Sequence, residues 1–455
     1  METQYINISA KQEQKLQQLM LVPETKQIIK PSAISVEVYE IPSDTSTPPA
    51  SPRSPSLAQF EDASKVASKI LDILERYGQH LEPKGGESHS EGGGWLGRSL
   101  FLGKVEQQLE KGQSIHMILP AFPWKSINRI DKVTGILPDL GEELALDKLN
   151  QICEDIKTVY PLGGKVIIAN DGLVFDDVLG ITDEHTWAYS EGLINMVHEK
   201  GLRNIQILRP MEIMGFTEGK TPDKALYMSL VQKCRDELMA HYGRTEPEVR
   251  QMMQDDPDTL LTYLGFVRFL DADLRFSPVT MAAKDTSRRQ YKKKVKEVAI
   301  MMMIRAESFT KVLQAYCPDY VRLSIHQSSG LVKLSIPLIT QGSGEFPRSP
   351  WHSCIALALD GSYSTVHSQT VRGSHNLIQK DGRGYYYREK SALWDWEDDE
   401  VIFQPMYPNR LIIKPATYVT WGRKTLSAIE GEKLKGLREA YTKGSIEVLG
   451  FANTA

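Results

Sequence analysis

The sequence has few cysteines, a small net charge and only short apolar runs, and each shortage excludes a class of protein. Only 4 of the 455 residues are cysteine and none forms a C-x-x-C pair, which excludes a disulfide-stabilised scaffold and a cysteine-rich zinc site. The net charge of −4 provides no basic field for nucleic acid or for an anionic membrane. The longest apolar run, Val298–Ile304, is far shorter than the roughly 20 residues that span a bilayer.

Several familiar motifs are also missing. The N-terminus, METQYINISAKQEQKLQQ, has neither the basic nor the apolar region of a signal peptide, so we expect a cytoplasmic protein. The chain contains no Walker A, H-E-x-x-H or G-x-S-x-G motif. Gly92–Gly97 matches G-x-G-x-x-G, but no strand precedes it, so a linker is the better interpretation. His89 and Glu91 lie in the same glycine-rich stretch, which cannot hold metal ligands in a fixed geometry, and we expect no metal site.

The chain divides into a Ser/Pro-rich extension and a long folded region. Residues 41–56 read IPSDTSTPPASPRSPS, a composition that cannot bury enough apolar surface to form a core. Residues 1–56 are therefore predicted to be a disordered extension. Residues 57–455 are predicted to form one domain, with an α/β part at 57–280 and a helix plus β-rich part at 281–455.

Alternating strand-like and helix-like segments predict the fold class of this domain. Apolar runs predict strands at Ile115–Leu119, Lys165–Ala169 and Asn204–Leu208. Helical periodicity predicts helices between them, at 140–159 and 182–200. Strands separated by helices of this length predict β-α-β units, and hence a Rossmann-like, mostly parallel sheet with helices.

The remaining segments predict further helices and a β-rich second half. Helices are predicted from Leu57, over 221–275 and over 285–316. Arg305 interrupts an apolar face of the last helix, where an unpaired guanidinium would be costly, so we expect it to meet a carboxylate or an anion. After Tyr320 come short alternating segments, VRLSIH, KLSIPLI, CIALALD, YSTVHS and RLIIKPA, which favour antiparallel strands.

Polar side chains follow each strand of the predicted parallel sheet. Lys125 follows the first strand and leads to Asp139 and Glu142, Asp171 follows the second, and Arg209 follows the third. Ligands of open α/β sheets bind beyond the carboxyl ends of the strands, so this shared edge favours a functional site. Taken singly, Glu142 is better explained as a favourable charge at a helix start, and Asp171 as part of a tight turn.

The second half adds a further set of candidates. Arg322, Ser324 and His326 alternate along one segment, which places them on one face of a strand, and Lys333 and His352 follow. A solvated strand face explains the alternation equally well.

Three segments in this order carry a resemblance to a known family: FPWKSINRIDKVTGILPDLGEELAL, ANDGLVFDDVLGITDEHTWAYSEGL and VRLSIHQSSGLVKLSIPLI. They resemble the pyoverdine/dityrosine-biosynthesis family, whose best-understood members are isocyanide synthases of secondary metabolism. The similarity runs from about Gly94 to the C-terminal region. Residues 1–56 lie outside it and resemble the variable extensions of fungal members.

The resemblance implies a reaction in which the α-amine of an amino acid condenses with the C2 ketone of ribulose 5-phosphate. Fragmentation of the sugar then leaves one carbon on nitrogen as an isonitrile, with no metal or organic cofactor. Residues in matching places that could bind the phosphate and the substrate carboxylate are Lys125, Arg209, Arg305, Arg322, Ser324 and Lys333. Those that could move protons are Asp139, Glu142, Asp171, His326 and His352.

Other functions stay open at this point. A relative of the spore-wall type would use the same site to make N-formyltyrosine. A non-catalytic interaction protein would need no convergence of ionisable groups, and an iron oxygenase lacks a ligand set. Tyrosine, tryptophan and valine all fit as the amino acid, and downstream biosynthetic enzymes are possible partners.

Overall fold

The computed structural model describes residues 63–79, 97–277, 287–339, 348–358, 362–381 and 383–389, and the backbone alone of three later strands. The predicted extension at 1–56 lies outside the described residues, as do His89, Glu91 and most of the glycine-rich stretch. No helix in the described part of the chain is long and apolar enough to cross a membrane.

The strands and helices alternate through the first half of the chain, as predicted. The strands are β1 Ile115–Ala121, β2 Gly164–Asn170, β3 Ile205–Leu208, β4 Val321–Ser324, β5 Leu334–Ser335, β6 Cys354–Leu357, β7 Tyr363–Val366, β8 His375–Lys380, β9 Arg383–Glu389, β10 Val401–Met406, β11 Arg410–Pro415 and β12 Ile446–Val448. The helices are α1 Ala63–Tyr77, α2 Arg98–Glu110, α3 Leu140–Lys157, α4 Gly172–Leu179, α5 Asp183–Glu199, α6 Pro210–Ile213, α7 Lys224–Tyr242, α8 Glu246–Asp255, α9 Pro257–Asp273, α10 Arg288–Tyr316 and α11 Ser368–Val371. The long helical stretch predicted at 221–275 is interrupted twice, because Thr245 and Asp256 each cap a new helix.

The first sheet is parallel throughout, with strand order β3-β2-β1-β4-β5. This confirms the predicted Rossmann-like α/β architecture. Its central strands β1 and β2 are apolar and almost wholly buried, because helices cover both faces of the sheet. The order reverses direction at β1, which has β2 on one side and β4 on the other, so a crevice is expected between the carboxyl ends of β1 and β4.

One strand lies in a different sheet from the one predicted. The pattern places VRLSIH in the β-rich second half, whereas β4 pairs in parallel with β1, with Val321 opposite Met117. The first sheet therefore crosses the predicted boundary at 280. A second sheet, of order β7-β6-β9-β8, is mixed: β6–β7 and β8–β9 are antiparallel, as predicted, and β6–β9 is parallel.

Two glycines allow close approaches that hold the fold together. A Cβ on Gly97, the last glycine of the G-x-G-x-x-G match, would overlap the carbonyl oxygen of Gly330, so this glycine has a packing role. A Cβ on Gly172, at the start of α4, would overlap the carbonyl oxygen of Pro123 and lie 2.5 Å from Cγ2 of Thr186. The tight approach at Gly172 joins the loop after β1 to the loop after β2.

We expect Gly172→Ala to lower the free energy of unfolding by about 1–3 kcal/mol, because the methyl group has no free volume. Gly103→Ala is the matched control, since nothing lies within 4 Å of the added carbon and alanine favours the helix. Urea denaturation of both variants measures the difference. Equal stability of Gly172→Ala and the parent protein would contradict the close approach.

Candidate active site

The loop after β1 supports the short 3-10 turn Pro350–His352. Phe122, the first residue after β1, has φ of 60°, a conformation that is strained for a bulky side chain. Its carbonyl accepts a hydrogen bond from Nδ2 of Asn170, and its ring packs on Trp351 with centroids 5.1 Å apart. The backbone nitrogen of Ser126 donates to the carbonyl of Trp351 at 2.8 Å. These contacts fix the position of the turn that carries His352.

Three of the predicted site residues, Lys125, Asp139 and Glu142, form a closed ionic network. Lys125 Nζ lies 2.8 Å from Asp139 Oδ2 and 2.6 Å from Glu142 Oε2, and it donates to the carbonyl of Pro350 at 3.2 Å. Tyr189 donates its hydroxyl to Glu142 at 2.9 Å. Burial alone would lower the pKa of Lys125, but the two carboxylates outweigh it and the pKa is raised. The ammonium group is therefore held as a cation by protein groups.

Glu142 lies in the first turn of a helix, as its position in the sequence indicates. Asp139 is the N-cap of α3 and accepts from the backbone nitrogen of Gly141, while Glu142 accepts from the backbone nitrogen of Asp139 at 2.8 Å. The side chains of Lys125, Asp139 and Glu142 are at most 3% exposed. This network thus connects α3 to the turn that carries His352, and its members are sealed from solvent.

A second set of side chains is less completely buried than this network, and we name it the edge cluster. Its six members are all half-buried and come from the ends of β2 and β4, from α10 and from two turns: Asp171, Glu307, Arg322, His326, Lys333 and His352. Each interacts electrostatically with at least one other member. Asp171 and His326 follow the carboxyl ends of β2 and β4, whereas Arg322 lies within β4, opposite Ile118 of β1, and Lys333 immediately precedes β5.

The two carboxyl groups of the edge cluster, Asp171 and Glu307, have raised pKa values. Burial raises the pKa of Asp171 to about 7, with the guanidinium of Arg322 opposing the shift. Oδ1 of Asp171 is buried and has no hydrogen-bond partner among the described residues, which is uncommon for a buried oxygen in a native protein. Burial likewise raises the pKa of Glu307, against the opposing effects of Lys333 and Arg322. Asp171 can thus exist in both protonation states near neutral pH.

The cations of the edge cluster face these carboxyl groups and the imidazoles. Burial lowers the pKa of Arg322 to about 10, opposed by Asp171 and Glu307, so the group stays charged at neutral pH. Lys333 Nζ donates to Oγ1 of Thr262 at 3.3 Å. Burial, followed by Lys333 and Arg322, lowers the pKa of His326 to about 3, so its imidazole is neutral. Two cations and a neutral imidazole at one place can bind an anion and form a hydrogen bond to it.

The other predicted residues lie elsewhere or act through the backbone. Ser324 ends β4, so His326 follows the strand rather than sharing its face, and the Ser324 hydroxyl accepts from the backbone nitrogen of His326 at 3.1 Å. Arg305 pairs with Asp177 at 2.9 Å, which confirms the predicted carboxylate partner. Arg209 is buried, donates to Ser190 at 3.0 Å and pairs with glutamates. Neither arginine is brought into the edge cluster.

Five residues at or next to the edge cluster had no sequence signal: Lys132, Phe266, Phe269, Asp273 and Glu307. Lys132 and Asp273 form a buried ion pair of 2.5 Å although 141 residues separate them. Glu307 is one charged residue among many on α10. Because no motif spans such separations, only the folded chain reveals these partners.

Comparisons with known proteins agree with this architecture. The family model of the pyoverdine/dityrosine biosynthesis protein matches residues 105–378. The isocyanide synthase xanB of Aspergillus fumigatus is 41% identical over 362 residues, which are 78% of this chain and 46% of that protein. An L-tyrosine isonitrile synthase of Xenorhabdus nematophila is 28% identical and aligns over 69% of this chain and 88% of its own length.

A solved structure shows the same fold. The crystal structure of the PvcA protein from Pseudomonas aeruginosa superposes with a TM-score of 0.61 at 24% identity, covering 71% of this chain and all of that chain. The chain spans about half the length of its fungal relative xanB. The matched family segment contains β1 to β5 and every member of the edge cluster. This chain belongs to the pyoverdine/dityrosine biosynthesis protein family.

Proposed function

We propose that this chain is an isocyanide synthase, which converts the α-amine of an amino acid to an isonitrile and takes the carbon from ribulose 5-phosphate. The observation that carries the proposal is the edge cluster, which combines cations and proton-transfer groups near the carboxyl ends of β2 and β4. Relatives named as isocyanide and tyrosine isonitrile synthases support it. An interaction protein has no need for such convergence.

The proposed reaction has requirements that the edge cluster can meet. Each substrate carries an anionic group, a carboxylate on the amino acid and a phosphate on the sugar, and Arg322 and Lys333 supply fixed positive charge within one site. The amine must lose a proton before it attacks the ketone, and later steps return protons to the sugar fragment. Asp171 and His352 are the groups placed to accept and donate them, and the neutral imidazole of His326 can form a hydrogen bond to the substrate. Cations close to the developing enolate would also stabilise it.

The test of the proposal is turnover with a panel of amino acids. Tyrosine, tryptophan and valine are each incubated with ribulose 5-phosphate, and the isonitrile stretch is measured in the infrared. An isonitrile from one of them supports the proposal and names the amino acid. A formamide product would instead assign the chain to N-formyl amino acid synthesis, and the absence of any product would favour an interaction protein.

We expect Lys333→Met to raise KM for ribulose 5-phosphate by about 10–100-fold, because a charge-assisted contact contributes about 1.5–3 kcal/mol. Lys111→Met is the matched control: this lysine is 42% exposed and pairs with Asp319 on the surface. Steady-state kinetics with varied sugar phosphate measures both. An unchanged KM in Lys333→Met would remove this lysine from the proposed binding site.

A further inference from the structure

Two imidazoles of the edge cluster are packed against one face of α9. Phe266 and Phe269 are three residues apart, so they share a helix face, and their ring centroids are 5.9 Å apart. His326 meets the ring of Phe266 edge-on at 5.5 Å, and His352 stacks on Phe269 at 4.4 Å with an interplanar angle of 28°. The rings fix both imidazole planes before any substrate binds.

The two imidazoles differ in the charge of their nearest ionisable neighbours. Nδ1 of His352 lies 3.3 Å from Oδ2 of Asp273, which is within ion-pair distance, and neither atom has a hydrogen bond of standard geometry in the described part of the chain. Asp273 is 1% exposed, and its Oδ1 receives Nζ of Lys132 at 2.5 Å. His326 has no carboxylate within ion-pair distance among the described residues, and Lys333 and Arg322 face it instead. Only His352 can share its proton with an adjacent anion.

The charge on Asp273 is fixed. Burial would raise the pKa of this carboxyl group, but Lys132 and then His352 outweigh it and hold the pKa at about 2. An ionised carboxylate can only accept hydrogen bonds. It therefore favours the imidazole tautomer with hydrogen on Nδ1 and leaves Nε2 with a free lone pair.

We propose, resting on the function proposed above, that Asp273 is a positioning residue that holds His352 in the Nδ1–H tautomer, so that Nε2 of His352 accepts a proton in one step of the reaction, beside the base Asp171. In the step itself, a substrate N–H or C–H bond breaks and its proton forms a bond to Nε2. The electron pair stays on the substrate, as an amine lone pair or an enolate, and the imidazolium is stabilised by Asp273. A later intermediate takes the proton back from Nε2. His326, which has no carboxylate behind it, acts as a neutral hydrogen-bonding group.

The first test reads the tautomer directly and needs no turnover. The protein is labelled with 15N-histidine, and the signal of His352 is assigned as the one lost in His352→Gln. We expect a protonated Nδ1 and an unprotonated Nε2 in the unmodified protein at neutral pH. The opposite tautomer would overturn the proposal, whether or not the protein makes an isonitrile.

The second test is kinetic. Asp273→Asn removes the anion and offers an amide that no longer imposes the tautomer, so we expect kcat to fall by about 10²–10⁴-fold with little change in KM. His352→Gln should lose as much, and the double variant Asp273→Asn/His352→Gln no more, because the two act as one unit. Multiplying losses would overturn the proposal.

The pH dependence of kcat shows whether Asp273 positions His352 or has a purely structural role. The charged and titratable groups that face His352 are Asp273, Lys132, Lys125, His326 and His367. Asp273→Asn removes the anion that favours the imidazolium, so the kcat limb assigned to His352 should move to lower pH. A limb that stays in place despite a loss of rate would indicate that Asp273 serves the fold alone. If the unmodified protein makes no isonitrile, the proposed function fails, and the tautomer experiment still decides the role of Asp273.

Discussion

Asp171→Asn is expected to lower kcat by about 10²–10⁴-fold, the usual contribution of a positioned general base or acid. Asparagine keeps the shape of the side chain at the start of α4 and removes its ability to take up a proton. The unpartnered Oδ1 of Asp171 and the adjacent Arg322 place the lost group within the edge cluster. Steady-state kinetics at saturating concentrations of both substrates measures the effect.

The same variant should change the pH dependence of the reaction. The pKa of Asp171 is raised to about 7, so a base that works as the anion gives a rate that rises as pH increases through 7. His326 cannot produce this limb, because its pKa is lowered to about 3. The limb should vanish in Asp171→Asn and persist in Asp177→Asn, which changes an exposed carboxyl group of the following helix that pairs with Arg305. A limb that survives in Asp171→Asn would assign it to another group.

Asp171→Asn should lower activity without lowering the stability of the protein. The folded-state pKa of Asp171 lies above the unfolded value of roughly 3.9, so ionisation of this group is unfavourable in the folded protein. Its contribution to stability is therefore full at low pH and is lost as pH rises towards 7. Asp171→Asn should be at least as stable as the parent protein at pH 8, and a clear loss of stability there would point to a structural role.

Lys132→Met is expected to lower the free energy of unfolding by about 3–5 kcal/mol, because it leaves the carboxylate of Asp273 buried without its lysine. The two side chains are at most 2% exposed, so water cannot replace the lost partner. Lys111→Met, which breaks an exposed ion pair, should cost less than about 1 kcal/mol. Urea denaturation compares the two.

The stability of the protein at low pH provides an independent check of the Lys132–Asp273 ion pair. The pKa of Asp273 is held at about 2, below its unfolded value of roughly 3.9, so the stabilisation is present above pH 4 and is lost as pH falls towards 2. The difference between Lys132→Met and the parent protein should shrink over that interval. The double variant Lys132→Met/Asp273→Asn should recover much of the stability at pH 7, because no unpaired charge remains. No recovery would show that the ion pair is not the cause.

The parts of the fold that follow from local pattern could be predicted from the sequence. β1, β2 and β3 are apolar runs separated by periodic helices, and their parallel pairing follows from that alternation. The pairing of β4 with β1 could not be predicted, because β4 has four residues and lies about two hundred residues away along the chain. Its partner is decided by the path of the intervening helices.

The candidate site also contains residues that the sequence could predict and residues that it could not. Asp171 could be named because the carboxyl edge of a parallel sheet collects the residues that follow its strands. An alternating pattern indicates His326 instead, and that pattern wrongly places it on the face of a strand that ends at Ser324. The local sequence pattern could not show that Lys125 is buried and Lys333 only half-buried, because burial depends on distant segments of the chain. Asp273 lies at the end of α9 without any motif, and its meaning depends on contacts with Lys132 and His352.

The central claim concerns the origin of the isonitrile carbon. The full chain is incubated with the amino acid that turns over and with ribulose 5-phosphate labelled with 13C at C2, and the product is analysed by mass spectrometry and infrared spectroscopy. If the amine attacks the C2 ketone, the product gains one mass unit and its isonitrile stretch moves to lower frequency. An unlabelled isonitrile, or a formamide in its place, would contradict the proposed reaction.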